Sequence, residues 1–259
     1  MKKYEIFTEP KIIEEKIQNL TSDNIKNLTK KYPLLLFKNQ NLTQEDLKQN
    51  SYKFGEPFIE EFLKDLYSED FKSNFDQYIV PLSSSGILGN EYLEWHKDNI
   101  FIKESTGRLL YSVSIPDNNS GKTCWADTIK IFKLLPDDIK NDLIDVEVMY
   151  DFNTNGKSHI KKEVWKKAVV DINGDFSLNL SAWMSHIPVI KVKNINNDYF
   201  NSIIQYIDKE FLSNKNFIYE HSWSENELIY FNNLSTIHKR EKIDSTGKER
   251  LLYRLTVKI

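Results

Sequence analysis

At 259 residues and a formal net charge of −3, the chain is long enough for one large domain or two small ones and has no basic excess to suggest binding to nucleic acid or anionic membranes. A single cysteine, Cys124, rules out an intrachain disulfide and a zinc–thiolate cluster, while 15 Phe, 13 Tyr and 5 Trp supply the large side chains of a core. No apolar run approaches the ~18 residues of a membrane span, and Met1–Phe7 lacks the apolar centre of a signal peptide, so a soluble, cytoplasmic protein is expected.

Residues 10–31 place Ile12, Ile13, Ile17, Leu20, Ile25 and Leu28 at roughly helical spacing, with Ser22 and Asp23 offering an N-cap, which predicts two short helices. Pro33–Phe37 is a continuous apolar run and predicts a strand buried on both faces. Thr43-Gln44-Glu45-Asp46 is a capping signature opening a helix that Gly55 and Pro57 end; residues 58–78 read as helical or irregular. Strands are expected at 78–82, 108–115, 123–127 and 146–150, with helix over 128–144. Segments 165–172 and 176–180 flank Asn173-Gly174, a hairpin signal. Residues 198–213 form an amphipathic helix, and 227–231 and 250–257 are strands. With no repeat, low-complexity stretch or linker, residues 1–259 read as a single domain of the α+β class built on a β-sandwich or barrel.

Chemistry concentrates in Leu93–Phe101. In an extended segment, residues i and i+2 share a face, so His96 and Asp98 can present one nitrogen and one oxygen to a common point. The bland alternative is a half-buried strand end with a hydrogen-bonded histidine. Of the remaining histidines, His238 is the best third ligand because it follows a buried strand and a turn. His159 sits in a polar stretch, and His186 and His221, beside Trp183 and Trp223, read as structural. Two histidines and one carboxylate on one face make the facial triad of non-haem Fe(II) oxygenases, which leaves positions open for O2 and a bidentate co-substrate.

With that triad in view, the chain resembles the taurine dioxygenase (TauD/TfdA) superfamily of Fe(II)/2-oxoglutarate-dependent oxygenases. The resemblance lies in five stretches in the right order: Tyr32–Gln40 followed by Leu42-Thr43 and Phe54-Gly55; Trp95-His96-Lys97-Asp98; Gly121–Asp127; Asn232–Arg240; and Arg250–Arg254. It implies a double-stranded β-helix (jelly-roll) core with flanking helices. It also implies that His96, Asp98 and His238 bind iron, while Arg250, assisted by Thr123, holds the distal carboxylate of 2-oxoglutarate. A guanidinium suits that bidentate task. Arg254 lies on the strand face of Arg250, and either meets a substrate anion or braces Arg250. The implied reaction couples O2 and 2-oxoglutarate to hydroxylation or desaturation of a substrate, with release of succinate and CO2. Halogenating relatives have Gly or Ala in place of the metal carboxylate, so Asp98 argues against halogenation.

Asn90-Glu91-Tyr92 and His238-Lys239-Arg240-Glu241 look most like the branch that oxidises amino-acid derivatives, including enzymes that modify isonitriles. Tyr92 stands where taurine dioxygenase has an Asn near the sulfonate, which argues against taurine. Asn90, Asn99, Phe101 and Trp183 are the pocket candidates. The competing readings are a non-catalytic small-molecule-binding β-barrel of the same fold and a zinc hydrolase using the same ligands; the latter leaves Arg250 and Thr123 without a role.

Overall fold

The four residues Leu34–Phe37 are all buried, as their unbroken apolar run predicts, and the sheets are stacked around the layer they help to form. The computed structural model describes residues 9–60, 74–86, 89–100, 106–151, 164–185, 187–244 and 247–259. In chain order the strands are β1 (Lys11–Ile13), β2 (Leu34–Phe37), β3 (Glu56–Phe58), β4 (Ile79–Ser83), β5 (Leu93–His96), β6 (Thr106–Ser114), β7 (Thr123–Asp127) and β8 (Glu147–Tyr150). They continue as β9 (Val164–Lys167), β10 (Val169–Ile172), β11 (Asp175–Leu178), β12 (Val189–Lys193), β13 (Ile218–His221), β14 (Leu228–Asn232), β15 (Thr236–Arg240) and β16 (Leu251–Lys258). The helices are α1 (Ser22–Lys31), α2 (Gln44–Ser51), α3 (Thr128–Leu134), α4 (Asp137–Leu143) and α5 (Asn197–Ile207). None among the described residues is long and apolar enough to cross a membrane.

The larger sheet runs β1-β2-β14-β6-β16-β3, with β4 also paired to β16. The smaller runs β13-β7-β15-β5, and its strands are all antiparallel. Between them lie Leu34 and Leu36 from β2, Leu110 from β6, Ile229 and Phe231 from β14 and Leu252 from β16, packed on Trp125 of β7 and on Trp223. The other face of the larger sheet, with Leu35, Phe37, Leu109, Tyr230 and Leu255, packs under Ile25 of α1 and Leu47 of α2. The outer face of the smaller sheet, with Trp95, Cys124, Ala126 and Ile237, packs on Phe132 of α3 and on Phe200, Ile203 and Ile207 of α5. Each strand's two-residue alternation therefore serves two layers, one dry on the outside and one that becomes polar at the end where the histidines lie.

Local signals explain most element ends. Thr43 and Asp46 form the capping box expected of α2, and Thr21 with Asn24 forms another at α1, one position before the expected caps. Asp127 ends β7 and caps α3 by accepting from the backbone N–H groups of Ile129 and Lys130. Asn173 and Gly174 take positive φ (56° and 93°), the geometry of a tight hairpin turn, and join β10 to β11. Three expectations are corrected. Residues 10–16 form no helix: Lys11–Ile13 pairs in parallel with Leu35–Phe37, because the open edge of β2 rewards β-branched residues with ladder bonds. Helix over 128–144 is broken into α3 and α4, with Pro136 at the cap of α4. Segment 165–172 is two strands, β9 on β8 and β10 on β11. Strands β12 and β13 were not anticipated, and most of 58–78 lies outside the described residues.

Candidate active site

His96 closes β5 and stands directly opposite His238 on β15, so two neighbouring strands bring both rings to a 4.2 Å centroid separation. The expectation that His96 and Asp98 lie on one extended face is corrected here, since the strand stops at His96 and the chain turns. Lys97 N–H donates to Ser181 Oγ at 2.7 Å rather than to a strand, and Asn99 adopts φ 49°. The side chain of Asn233 grips the Asp98 backbone twice, accepting from its N–H at 3.1 Å and donating to its carbonyl at 2.8 Å. The turn achieves the convergence that a straight strand was expected to give. Asp98 Oδ1 lies 3.8 Å from His96 Nε2 and 3.9 Å from His238 Nε2.

Lys97 points away from its two neighbours. Its buried ammonium donates to the carbonyls of Asn233 and Leu234 and to Thr128 Oγ1, tying the turn after His96 to the turn that leads into β15. Burial pushes its pKa down to about 7.

His96 Nδ1 lies 2.6 Å from the Glu94 carbonyl oxygen, which fixes that nitrogen as the donor and leaves Nε2 with a free lone pair. Burial holds both imidazoles below their ordinary pKa, His238 well below, so they are neutral ligands at physiological pH. Burial alone would raise the Asp98 carboxyl, but Arg254, His238 and Arg108 together pull it below the usual carboxylate range. Arg108 Nε donates to Asp98 Oδ2 at 3.2 Å, and Arg254 Nη1 stands 3.5 Å from Oδ1. Arg254 Nη2 reaches Glu60 Oε2 at 2.7 Å, and Thr256 Oγ1 donates to the other oxygen of Glu60. The Arg face of β16 therefore turns inward.

A second group forms beside the triad. Arg250 is 2 % exposed, and its guanidinium lies 6.0 Å from the centre of the Trp223 ring. The Trp223 indole donates to Thr123 Oγ1 at 3.0 Å, so Arg250 and Thr123 share one neighbour. Gly121, at φ 74°, leaves the space that the Arg250 side chain fills. Burial, with the charge of Arg240, lowers the Arg250 pKa to about 9, so it remains a cation at neutral pH. His221 is structural, as expected, held between Glu227 at 3.0 Å and Tyr219 at 2.8 Å.

The pocket candidates fare unevenly. Asn99 adjoins Asp98, and among the described residues its buried Nδ2 has no partner, nor has Oδ1 of Asn90. Trp183 packs on the apolar cluster outside the smaller sheet, and its indole nitrogen has no partner among the described residues. Phe101, His159 and His186 lie outside the described residues. Sequence reasoning missed Arg108, Glu60, Lys97, Asn233 and Trp223. Only Asn233, inside the distal histidine motif, carried a signal that could have been used.

The donor set fits a divalent ion of the iron class: two neutral imidazoles, one ionised carboxylate, and ligand atoms all within 4.8 Å of one another. Two atoms bound at about 2.1 Å to one ion can stand no more than ~4.2 Å apart, and both carboxylate–imidazole spacings, 3.8 and 3.9 Å, satisfy this. A two-sheet fold with such a triad inside belongs to the class of non-haem iron oxygenases.

Residues 8–256 match the sequence profile of the Taurine catabolism dioxygenase TauD, TfdA family, and the chain belongs to that family. AAD-2, solved with Mn(II) and N-oxalylglycine, is similar at 18 % identity and TM-score 0.78, over 97 % of this chain and 96 % of that one. A Burkholderia xenovorans protein named as an alpha-ketoglutarate-dependent taurine dioxygenase matches at 16 % identity and TM-score 0.75, over 97 % of this chain and 90 % of its own. A taurine dioxygenase from the same organism matches at 14 % identity and TM-score 0.73, over 98 % and 89 %. No curated protein sequence matches significantly. The chain is an Fe(II)- and 2-oxoglutarate-dependent dioxygenase, with O2 as its second co-substrate.

Proposed function

We propose that this dioxygenase hydroxylates or desaturates a small, amino-acid-derived substrate, with release of succinate and CO2. The observation that carries the reading is the convergence of His96, Asp98 and His238 with the carboxylate in place, the ligand set that favours oxygen insertion or desaturation over halogenation. In this reading those three residues hold the iron, and Arg250 with Thr123 binds the distal carboxylate of 2-oxoglutarate in the Trp223-lined recess. When bound, iron and its co-substrates supply an oxidant able to take hydrogen from an unactivated C–H bond. The protein's own share is placement: neutral imidazoles, a carboxylate kept ionised by Arg108 and Arg254, and an arginine recess that orients the co-substrate.

Arg254, which contacts Asp98 and Glu60 beside the triad, meets a substrate anion or braces Arg250 in this reading. Asn90 and Asn99, with buried unpartnered amide atoms, are further candidates for substrate contact, as are Phe101 and Trp183. The amino-acid assignment follows the branch that Asn90–Tyr92 and His238–Glu241 resemble, which includes isonitrile-modifying enzymes. The two stacked sheets support a double-stranded β-helix core, and the family match across residues 8–256 supports a single domain.

The test is succinate release from 2-oxoglutarate with Fe(II) and O2, across a panel of amino-acid derivatives. The expected result is turnover that needs Fe(II) and disappears in His96→Ala and Asp98→Ala, while Arg250→Gln raises the KM for 2-oxoglutarate and leaves metal affinity unchanged. Turnover indifferent to Fe(II), or intact in Asp98→Ala, would refute the assignment.

A further inference from the structure

Arg108 is the largest unexplained group beside the triad. It lies on β6, directly opposite Phe231 of β14 and Thr256 of β16, and its side chain enters the layer between the sheets. It is fully buried. Its Nε serves Asp98, yet among the described residues Nη1 and Nη2 have no hydrogen-bond partner. Glu60 acts on Arg108 by its charge, but its hydrogen bonds go to Arg254 and Thr256. A buried donor without an acceptor costs about 1–3 kcal/mol, and more when it is charged. Native proteins rarely leave such a group unpaired, and water, an ion or a ligand carboxylate would each complete it.

The charges point the same way. Asp98 and Glu60 balance Arg108 and Arg254. Iron(II) and doubly ionised 2-oxoglutarate cancel each other, and Arg250 then leaves this set of groups with one positive charge in excess. Two parallel N–H donors on a planar cation match the two oxygens of a carboxylate, and a dry setting strengthens the pairing.

We propose that Arg108 is a carboxylate-binding residue of the active site, separate from the Arg250 recess, whose free Nη edge grips a carboxylate brought next to the iron. That carboxylate is either the substrate's own or the one on 2-oxoglutarate nearest the metal. The proposal rests on the iron and 2-oxoglutarate reading of the site.

The experiment uses full-length protein saturated with Mn(II), whose affinity is measured first for each variant because Arg108 touches Asp98. Dissociation constants for N-oxalylglycine are measured by calorimetry in the wild type, Arg108→Gln and Arg108→Lys, the last keeping the charge but losing the fork. Thermal midpoints are then compared in acetate, acetamide and chloride at matched ionic strength, with N-oxalylglycine bound. An N-oxalylglycine constant at least tenfold weaker in both variants supports the proposal and names the co-substrate as the source. An unchanged constant, with stabilisation by acetate but not acetamide in the wild type and lost in both variants, supports it with a second anion as the source. Equal responses in wild type and variants to both probes overturn it. If Arg108→Gln does not fold, Arg108→Lys alone decides. Arg250→Gln is run in parallel: N-oxalylglycine binding that survives it counts against the co-substrate recess and leaves the Arg108 result to be read separately.

Discussion

Asp98 divides its two oxygens among four groups. Oδ1 faces both imidazoles, while Oδ2 receives Arg108, and Arg254 stands alongside. The arginines keep the carboxylate ionised in a place where burial would otherwise neutralise it, and the carboxylate in turn is the counter-charge that permits two guanidiniums inside the protein. Asp98→Asn keeps size and shape but removes that charge. The metal-free variant should lose about 1–3 kcal/mol in urea unfolding, because Arg108 and Arg254 then lack the charge of Asp98. Fe(II) affinity should fall by about 1.4 kcal/mol for each factor of ten, over at least two such factors. A variant as stable as the wild type would show that the arginines do not depend on Asp98.

Two turns and one strand end set the geometry at the scale of elements. Asn233 and Lys97 bind the turn after β5 to the turn before β15, so the two segments that carry the triad are tied directly to each other. Asn233→Ala should weaken Fe(II) binding about tenfold, a loss of ~1.4 kcal/mol, while the KM for 2-oxoglutarate stays unchanged; equal losses in both would assign Asn233 to the general fold. Gly121 makes the complementary case. A methyl group there would stand 2.5 Å from Ile243 Cγ1 and 3.1 Å from Arg250 Cδ, at a φ of 74° that L-residues rarely adopt. Gly121→Ala should therefore weaken N-oxalylglycine binding, leave Fe(II) affinity intact and cost about 1–3 kcal/mol of stability.

These elements also show what could be read in advance. The Thr43–Asp46 capping box, the Asn173-Gly174 turn and the run Leu34–Phe37 are local signals, and they fold as read. The triad was legible because its motifs are short and ordered along the chain. Arg108 was not, because nothing near it in sequence marks it, and its meaning comes from Asp98, Glu60 and Thr256 on other segments. Lys97, between two candidate ligands, carried no signal of its own, and only the fold reveals the carbonyl cage that receives it. Lys11–Ile13 misled because helical spacing and an edge strand are alike over three residues, and the neighbouring β2 decides between them.

Over the whole molecule, the triad is built into the face where the two sheets meet, so its protonation becomes a property of the fold. His96 and His238 are held below their ordinary pKa by burial, whereas in the unfolded chain each titrates near 6.5. Between the two values the unfolded state binds more protons, so the stability of the metal-free protein rises with pH in that window and is lost as pH falls through it. Each histidine contributes at most about 1.4 kcal/mol per pH unit. Asp98 acts in a lower window: its depressed pKa contributes stability that is full above about pH 4–5 and disappears as the carboxylate is protonated below that. Urea midpoints of the metal-free protein should therefore fall between pH 6.5 and 5 and fall again in stronger acid, while above about pH 7 the depressed Lys97 makes them rise with pH. His238→Ala should flatten part of the first decline and leave the second. Saturating Mn(II), which binds the neutral rings, should move the first decline to lower pH. Metal-free midpoints that stay level from pH 8 to pH 5 would mean that the rings take up protons without opening the sheet pairing of β5 and β15.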